Sequence, residues 1–186
     1  MIRKEVMKIV LDHIDSQPII SANGFISRDL FELKEKNSNF YMIGSMGLAS
    51  SIGLGVALKN PRKRIYVFDG DGNILMNLGS LVTIGYMRPK NIIHIIFDNQ
   101  SHESTGGQPT ASNKIEISKF GKICNFKTFV VSNTKSLKNC LRQIKKINQS
   151  IMIVIKISKS NIQSQRVSLE PEFIKNRFVD SLNEKK

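Results

Sequence analysis

The sequence predicts an α/β fold with three layers, in which helices cover both faces of a mostly parallel, six-stranded sheet. Strand-like apolar runs and helix-period segments alternate six times along the 186 residues, and no repeat or internal linker divides them. Such alternation predicts parallel strands joined by crossover helices. We therefore expect one domain over residues 1–160 and a polar, weakly periodic C-terminal tail over 161–186.

The first half of the chain predicts four helices that alternate with four strands. Apolar residues recur at helical spacing from Ile2 to Ile14 and predict the first helix. Asn23 and Gly24 form a turn after the first strand, and Ser27 is the expected N-cap of the second helix. In order, we expect helix 2–15, strand 18–21, helix 27–36, strand 40–43, helix 47–58, strand 64–68, helix 73–87 and strand 91–97.

The second half predicts a polar, glycine-rich loop and then two further helix–strand pairs. The loop spans residues 98–113. Leu137, Leu141 and Ile144 recur at helical spacing and predict a helix. After the loop we expect helix 116–124, strand 127–131, helix 135–149 and strand 151–157.

The net charge of +13 does not by itself indicate a nucleic-acid partner. The basic residues concentrate on one predicted helix face, from Lys138 to Lys146, and in the tail after Lys156, with no interleaved aromatic residues and no nucleic-acid-binding motif. The longest apolar runs are shorter than the roughly 20 residues of a membrane span. Two cysteines make no disulfide framework. We expect a cytoplasmic protein that binds neither nucleic acid nor membrane.

Polar and glycine residues follow three predicted strands at their carboxyl ends. The segments are Gly44–Gly47, Asp69–Asn73 and Asp98–Asn99. Because ligands of parallel sheets bind beyond these ends, the three segments mark a site. Gly70 and Gly72 allow close backbone approach to a phosphate at a helix start, while a carboxylate and an amide oxygen suit Mg²⁺. The pattern therefore predicts a magnesium diphosphate site.

Other readings of these segments are weaker. Asp-Gly pairs form turns in any protein. A calcium-binding loop starting at Asp69 would need Gly at its sixth position and Glu at its twelfth, where Ile74 and Ser80 stand. A dinucleotide fingerprint from Gly53 lacks its third glycine, because Leu58 occupies that position.

The spacing resembles the signature of thiamine-diphosphate enzymes, a Gly-Asp-Gly followed some 25 residues later by a pair of asparagines. The resemblance implies a thiamine-diphosphate-binding fold with Mg²⁺ held by Asp71, the side chain of Asn99 and the backbone carbonyl of Ser101. The chain departs from the signature in one place, since Asp98 stands where the first asparagine is usual.

Longer segments resemble phosphonopyruvate decarboxylase and its relative sulfopyruvate decarboxylase. They are Gly44–Gly53, Ser27–Phe31 and, above all, His102–Thr110. The likeness covers residues 5–157 and corresponds to the C-terminal half of the fused family members. It implies that a pyrimidine-binding (alpha) subunit supplies the glutamate that activates the cofactor, in a hetero-oligomer. Glu103 lies in this domain's own loop and is not that residue.

The resemblance also implies roles for individual residues. Met46 would wedge the cofactor into its bent form, and the carbonyl of Gly44 would accept a hydrogen bond from its aminopyrimidine. His102 follows the metal loop closely enough to contact the diphosphate or the substrate as a proton carrier, and a purely structural role in the loop is the alternative. His13, Arg28 and His94 are interpreted as structural or solvated. The expected cofactor-binding residues are Asn23, Gly24, Gly44, Ser45, Met46, Gly70, Asp71, Gly72, Asn73, Asn99, Ser101 and His102.

The implied reaction is decarboxylation of a small anionic 2-oxoacid. The extended His102–Thr110 likeness favours phosphonopyruvate, converted to phosphonoacetaldehyde and CO₂. Sulfopyruvate, converted to sulfoacetaldehyde by a beta subunit, is the alternative that the short separate-chain layout favours. A non-catalytic cofactor-binding or interaction module is a further alternative.

Overall fold

The computed structural model describes residues 1–160 and 162–183. The helices are α1 (Arg3–Leu11), α2 (Phe25–Leu33), α3 (Ala49–Lys59), α4 (Asp71–Leu75), α5 (Gly79–Met87), α6 (Ile117–Ile123), α7 (Thr134–Ile144) and α8 (Pro171–Asn183). The strands are β1 (Ile19–Ser21), β2 (Asn39–Tyr41), β3 (Ile65–Gly70), β4 (Ile92–Asp98), β5 (Ser101–His102), β6 (Gln108–Pro109), β7 (Lys127–Val131) and β8 (Ile151–Lys156). Each of the six predicted strands is present, and β5 and β6 are additional.

Six strands form one sheet in the order β2-β1-β3-β4-β8-β7, and every neighbouring pair is parallel. The central strands β3, β4 and β8 are almost wholly buried, which explains their continuous Ile- and Val-rich sequences. Helices α1, α2 and α7 pack on one face, and α3, α5 and α6 pack on the other. The predicted three-layer architecture is confirmed.

The two edge strands of the sheet differ in how far other parts of the chain cover them. Helix α8 packs against β2 and buries Ile174 and Phe178, whose ring lies 5.4 Å from that of Phe40. The opposite edge strand, β7, leaves Lys127 and Val130 exposed. The sequence assigned no element to the segment that contains α8. Residues 161 and 184–186 of the expected tail lie outside the described residues.

The predicted N-cap of the second helix is wrong. Helix α2 begins two residues earlier, with Gly24 in the N-cap position at φ 78°, so Ser27 lies within its first turn. The Ser27 hydroxyl donates 2.8 Å to the carbonyl of Ala22 and contacts the Ser21 hydroxyl at 2.8 Å. Ser27 therefore ties α2 to the end of β1 instead of capping the helix.

The predicted helix 73–87 is two helices, α4 and α5, separated by residues 76–78. Asn77 lies at the break, where its side-chain amide donates to the carbonyl of Gly47 at 3.1 Å. The predicted loop 98–113 contains the β5–β6 hairpin and two short 3₁₀ turns. Predicted helices 2–15 and 135–149 end earlier than expected, at Leu11 and Ile144.

The strand order reverses beside β1. In the sheet, β2 lies on one side of β1 and β3 lies on the other, so the chain changes direction across the sheet after β2. In open parallel sheets the crevice beyond the carboxyl ends at such a switch point is the usual ligand site. The fold therefore brings the segments after β1 and β3, and the adjacent end of β4, to one place.

Two glycines of α3 provide a test of this packing. A Cβ added to Gly53 would lie 2.3 Å from Cγ2 of the buried Val67, whereas one added to Gly55 would meet no atom within 4 Å. Gly53→Ala is expected to lower the free energy of unfolding by about 1–3 kcal/mol through overpacking. Gly55→Ala, the matched control, is expected to raise it by about 0.5–1 kcal/mol. Urea denaturation measures the free energy of unfolding of both variants. Equal effects would contradict the close contact between Gly53 of α3 and Val67 of β3.

Candidate active site

A cavity of about 120 Å³ lies beyond the carboxyl ends of β1, β3 and β4. Its walls come from these strand ends, from the β5–β6 hairpin and from the first turns of α1 and α2. The lining residues are Arg3, Asn23, Phe25, Ile26, Met46, Gly70, Asp71, Gly72, Asn73, Phe97, Asn99, Ser101, His102, Glu103, Ser104, Thr105 and Ile157.

The structure brings most of the predicted site residues to this cavity. Nine of the twelve line it, namely Asn23, Met46, Gly70, Asp71, Gly72, Asn73, Asn99, Ser101 and His102. Gly24 lies next to it, since a Cβ there would lie 3.1 Å from the Ser104 hydroxyl. Gly44 and Ser45 are exposed and do not line the cavity. Their roles remain predictions.

Asp71 is the first residue of α4 and is only 2% exposed. Its Oδ2 atom accepts hydrogen bonds from the hydroxyls of Thr110 and Ser112, the latter at 3.0 Å. Burial raises the pKa of Asp71 above its usual value, Asp98 raises it further, and the two hydroxyl donors oppose these effects. The folded chain thus keeps a carboxylate where ionisation is unfavourable.

The four buried aspartates differ in their partners. Asp29 contacts Arg3 at 2.7 Å, Asp69 contacts His94 at 2.9 Å and Asp98 contacts Lys156 at 2.5 Å. In residues 1–160 and 162–183, no basic side chain lies within ion-pair distance of Asp71. Buried carboxylates are normally paired with a cation or bound to a metal. Among the described residues, Asp71 is the buried aspartate with no Lys, Arg or His side chain as its partner.

The lysine beside Asp98 explains the departure from the thiamine-diphosphate signature. Asp98 and Lys156 are register partners at the ends of β4 and β8. Asp98 Oδ1 also accepts a hydrogen bond from the Gln100 N–H at 3.2 Å and lies 2.8 Å from the Ser112 hydroxyl oxygen. That hydroxyl has a single hydrogen, so it donates to either Asp98 or Asp71 at one time. The extra negative charge is compensated inside the protein, so Asp98 does not need a ligand for that purpose.

Asn99 and Ser101 form a tight turn at the cavity wall. Asn99 Oδ1 accepts a hydrogen bond from the Ser101 N–H at 3.0 Å, and its amide nitrogen donates to Glu103 at 3.0 Å. A carbonyl oxygen has a second lone pair for a metal. The Ser101 hydroxyl oxygen is buried and has no protein partner among the described residues. These oxygen donors, together with the carboxylate of Asp71, suit Mg²⁺.

Gly72 is required by its neighbour His102. A Cβ at Gly72 would lie 2.6 Å from both Cε1 and Nδ1 of the His102 ring. Gly72 was expected to allow close approach to a phosphate, but in the structure the imidazole of His102 lies beside it. The absence of a side chain at Gly72 leaves room for this ring at the start of α4 and at the cavity wall.

Asn73 positions the loop that carries Met46. Its Oδ1 accepts a hydrogen bond from the Gly47 N–H at 2.8 Å, and its amide nitrogen donates to Asp69 at 2.5 Å. Met46 projects from this loop, lines the cavity and is 37% exposed. Both polar ends of the Asn73 side chain are therefore engaged within the protein.

Several exposed apolar side chains lie on or beside the loop that carries Met46. Met46 and Leu48 flank Gly47, and a Cβ on Gly47 would lie 3.4 Å from Cβ of Met76. Ile43, Met46, Leu48 and Met76 are each more than one-third exposed, and we call them the apolar rim. Large apolar side chains exposed near one another are typical of interaction surfaces.

Several residues of the site were not found from the sequence. Thr110 and Ser112 lie within the predicted loop, and their bonds to Asp71 form only when the loop folds back. Lys156 had a usable signal, because it ends an otherwise apolar strand. Arg3 and Glu103 come from distant segments, and nothing in their spacing predicts their contact.

The described residues contain neither a cluster of metal-ligating His, Cys, Asp and Glu side chains nor a membrane-spanning helix. In residues 1–160 and 162–183, no group of three or more His, Cys, Asp or Glu side chains could hold a metal ion. The candidate site has a different donor set, in which amide and backbone oxygens accompany one carboxylate. No helix in the same ranges is both long enough and apolar enough to cross a bilayer.

Comparison with known proteins identifies similar sequences. Residues 23–155 match the family described as thiamine pyrophosphate enzyme, C-terminal TPP binding domain. The chain is 40% identical to sulfopyruvate decarboxylase subunit beta of Methanocaldococcus jannaschii, over 97% of this chain and 96% of that protein. It is 44% identical to phosphonopyruvate decarboxylase of Streptomyces viridochromogenes, but over only 59% of this chain and 27% of that protein.

The fold also matches a solved structure. An X-ray structure from Mycobacterium smegmatis, described as a candidate thiamin diphosphate-dependent enzyme, superposes with a TM-score of 0.74. The match covers 86% of this chain and 32% of that chain at 16% sequence identity. Similarity at this level of identity supports the fold class and nothing finer.

The unpaired state of Asp71 has a consequence for stability. Because folding raises the pKa of Asp71, its proton is retained more tightly in the folded chain, and stability falls as pH rises from the unfolded to the folded pKa. Asp71→Asn is therefore expected to raise the urea midpoint of the metal-free chain at about pH 7, with the gain shrinking below about pH 4.

Asp180→Asn, on the exposed face of α8, serves as the control and should change stability by less than about 0.5 kcal/mol. A metal-free Asp71→Asn chain that is less stable than the original at neutral pH would show that the hydroxyl bonds outweigh the burial of the charge.

Proposed function

Because the chain belongs to the thiamine pyrophosphate enzyme family, through its C-terminal TPP-binding domain, we propose that it is the cofactor-binding subunit of a 2-oxoacid decarboxylase. The cofactor would be thiamine diphosphate with Mg²⁺. The chain would act in a hetero-oligomer with a pyrimidine-binding (alpha) subunit that carries the activating glutamate. The free thiols of Cys124 and Cys140 are compatible with a reducing cytoplasm.

The lack of a cationic partner at Asp71 carries this proposal. Of the four buried aspartates, it alone depends on hydroxyl groups, and it faces a cavity with free oxygen donors. A Mg²⁺ ion shared with a diphosphate would supply the missing positive charge. Asp71, the side-chain oxygen of Asn99 and the backbone carbonyl of Ser101 would hold that ion.

The remaining residues would bind and orient the cofactor. Thiamine diphosphate supplies the electron sink that makes loss of CO₂ from a 2-oxoacid possible. Asn23, Gly70 and Gly72 line the cavity and would bind the diphosphate, while Met46 would support the thiamine from the rim. His102 would hold or move a proton at an imidazole nitrogen next to the diphosphate or the substrate.

Among the possible substrates, sulfopyruvate replaces phosphonopyruvate as the leading candidate. The Methanocaldococcus jannaschii protein that carries the sulfopyruvate name aligns along nearly its whole length, and its name describes a separate subunit. The phosphonopyruvate relative aligns over little more than half of this chain. The higher local identity of the latter, 44%, keeps phosphonopyruvate as the second candidate.

The apolar rim supports the need for a second subunit. The rim includes Met46, at the side from which a pyrimidine-binding chain would approach to complete the site. Its four large apolar side chains are exposed to water in the isolated chain. Burying them against a partner would gain hydrophobic free energy and would exclude water from the cavity.

Reconstitution with a pyrimidine-binding subunit from the same organism tests the function. With thiamine diphosphate and Mg²⁺ present, the complex is expected to release CO₂ from sulfopyruvate at a higher kcat/KM than from phosphonopyruvate, and neither subunit alone should be active. Asp71→Ala should abolish turnover, because it removes the only side-chain carboxylate proposed to hold Mg²⁺. Turnover of neither oxoacid by the complex would refute the enzymatic proposal.

Met76→Asp tests the position of the subunit interface. Met76 is 62% exposed, so an aspartate there is tolerated by the free chain but would be buried in the complex. The affinity for the partner, measured by calorimetry, should fall at least about tenfold, equivalent to about 1.4 kcal/mol. Val179→Asp, at a 45% exposed apolar position on α8, is the control and should leave the affinity unchanged. Equal losses in the two variants would exclude the rim as the interface.

A further inference from the structure

A chain of charged contacts connects the N-terminal helix to the candidate metal ligand Asn99. The Arg3 side chain, on α1, donates from Nε to Asp29 at 2.7 Å and from Nη1 to Oε2 of Glu103. The same Oε2 atom accepts a hydrogen bond from the Asn99 side-chain amide at 3.0 Å. Arg3 and Asp29 are buried and Glu103 is 13% exposed in its side chain, so water screens these contacts little.

The contacts have a direction that follows from the chemistry of each group. A guanidinium can only donate hydrogen bonds, and an ionised carboxylate can only accept them. A carboxylate beside Asn99 can therefore face only the NH₂ end of its amide. The Oδ1 end must point the other way, towards the Ser101 N–H, and Asn99 lines the cavity together with Asp71. Without Glu103, the single bond from the Ser101 N–H would be the only one of these two contacts left to orient the amide.

Glu103 is itself held from several sides. Its Oε1 accepts a hydrogen bond at 2.7 Å from the N–H of Ser160, in the segment that follows β8. Arg3 is fixed in turn by Asp29, whose second oxygen accepts a hydrogen bond from the Ser164 hydroxyl at 2.6 Å. The carboxylate therefore has little freedom to leave Asn99.

We propose that Glu103, held by Arg3, is a positioning residue that orients the Asn99 amide so that its oxygen is available to the metal ion. This inference rests on the proposed function only in assuming that Mg²⁺ binds at Asn99. It does not depend on which 2-oxoacid is the substrate. It makes the first turn of α1 a part of the metal site, although more than 90 residues separate Arg3 from Asn99.

A purely structural role for the same contacts predicts something different. In that case Arg3 and Glu103 would only anchor α1 to the loop, and losing the pair would lower stability without affecting the metal. Buried ion pairs often contribute little net stability, so anchoring alone is a weak reason to retain one here. The pair of Arg177, on α8, and Glu35, in the segment after α2, joins the same two charged groups, although Glu35 is 40% exposed, and neither residue lines the cavity.

The experiment compares Glu103→Gln with Glu35→Gln in the complex with the partner subunit. Glutamine keeps the size of the side chain but can face either end of the Asn99 amide. Calorimetric titration of thiamine diphosphate at a series of Mg²⁺ concentrations gives the half-saturating Mg²⁺ concentration without any turnover. We expect it to rise about 10- to 100-fold in Glu103→Gln, as for other residues that orient metal ligands. Glu35→Gln should leave it unchanged.

A second measurement separates positioning from folding. Saturating Mg²⁺ should restore kcat of Glu103→Gln towards that of the original complex, because the amide oxygen is then recruited by mass action. Glu103→Asp, which keeps an acceptor-only group, should recover part of the Mg²⁺ affinity. If Glu103→Gln does not fold, Arg3→Lys takes its place, since it retains a cation but loses the forked contact, and a several-fold weaker Mg²⁺ affinity is expected.

Three results would overturn the inference. They are an unchanged half-saturating Mg²⁺ concentration in Glu103→Gln, an equal shift in Glu35→Gln, and the absence of Mg²⁺-dependent cofactor binding by the original complex. Normal Mg²⁺-dependent binding without turnover of either oxoacid would instead count against the proposed function alone, and the comparison of variants would still decide the role of Glu103.

Discussion

Burial of carboxylates at neighbouring strand ends is the constraint around which this site is built. Asp69 lies near the end of β3, Asp71 is the first residue after that strand, and Asp98 ends the adjacent strand β4. Each is at most 2% exposed, so its negative charge must be compensated by the protein or by a ligand. Asp69 has an imidazole and Asp98 has a lysine, while Asp71 has only hydroxyls. This difference in partners is the basis for proposing Asp71, and not Asp69 or Asp98, as the metal ligand.

The general architecture and the meeting of Asp71 with Asn99 at one cavity were predictable because they depend on local patterns. Apolar runs bounded by polar turns define the six strands, and parallel strands bring their carboxyl ends to one edge. Asp71 and Asn99 occupy the first positions after two such strands, so their meeting follows from the topology. The error at Ser27 has the opposite origin. A local capping preference was overridden by a tertiary bond to the end of β1.

What the sequence could not predict is the set of residues that orient the ligands. Thr110 and Ser112 reach Asp71 only because the β5–β6 hairpin folds back over α4. Arg3 and Glu103 are in contact although they are 100 positions apart in the sequence. Spacing along the chain holds no information about such contacts. Gly72 lines the cavity, but the spacing gave no indication that the ring of His102 needs the space beside it.

The distribution of basic residues leaves Asp71 without a cationic neighbour among the described residues. The chain carries 28 Lys and Arg residues, yet in the described ranges none forms an ion pair with Asp71. A lysine beside Asp71, equivalent to Lys156 beside Asp98, would stabilise the metal-free protein. It would also occupy the position proposed for Mg²⁺. If Mg²⁺ binds at Asp71 as proposed, the uncompensated carboxylate would make the metal-free chain less stable, and metal binding would add to folding stability by mass action. The same imbalance would favour capture of a magnesium-bound diphosphate over that of an uncomplexed anion.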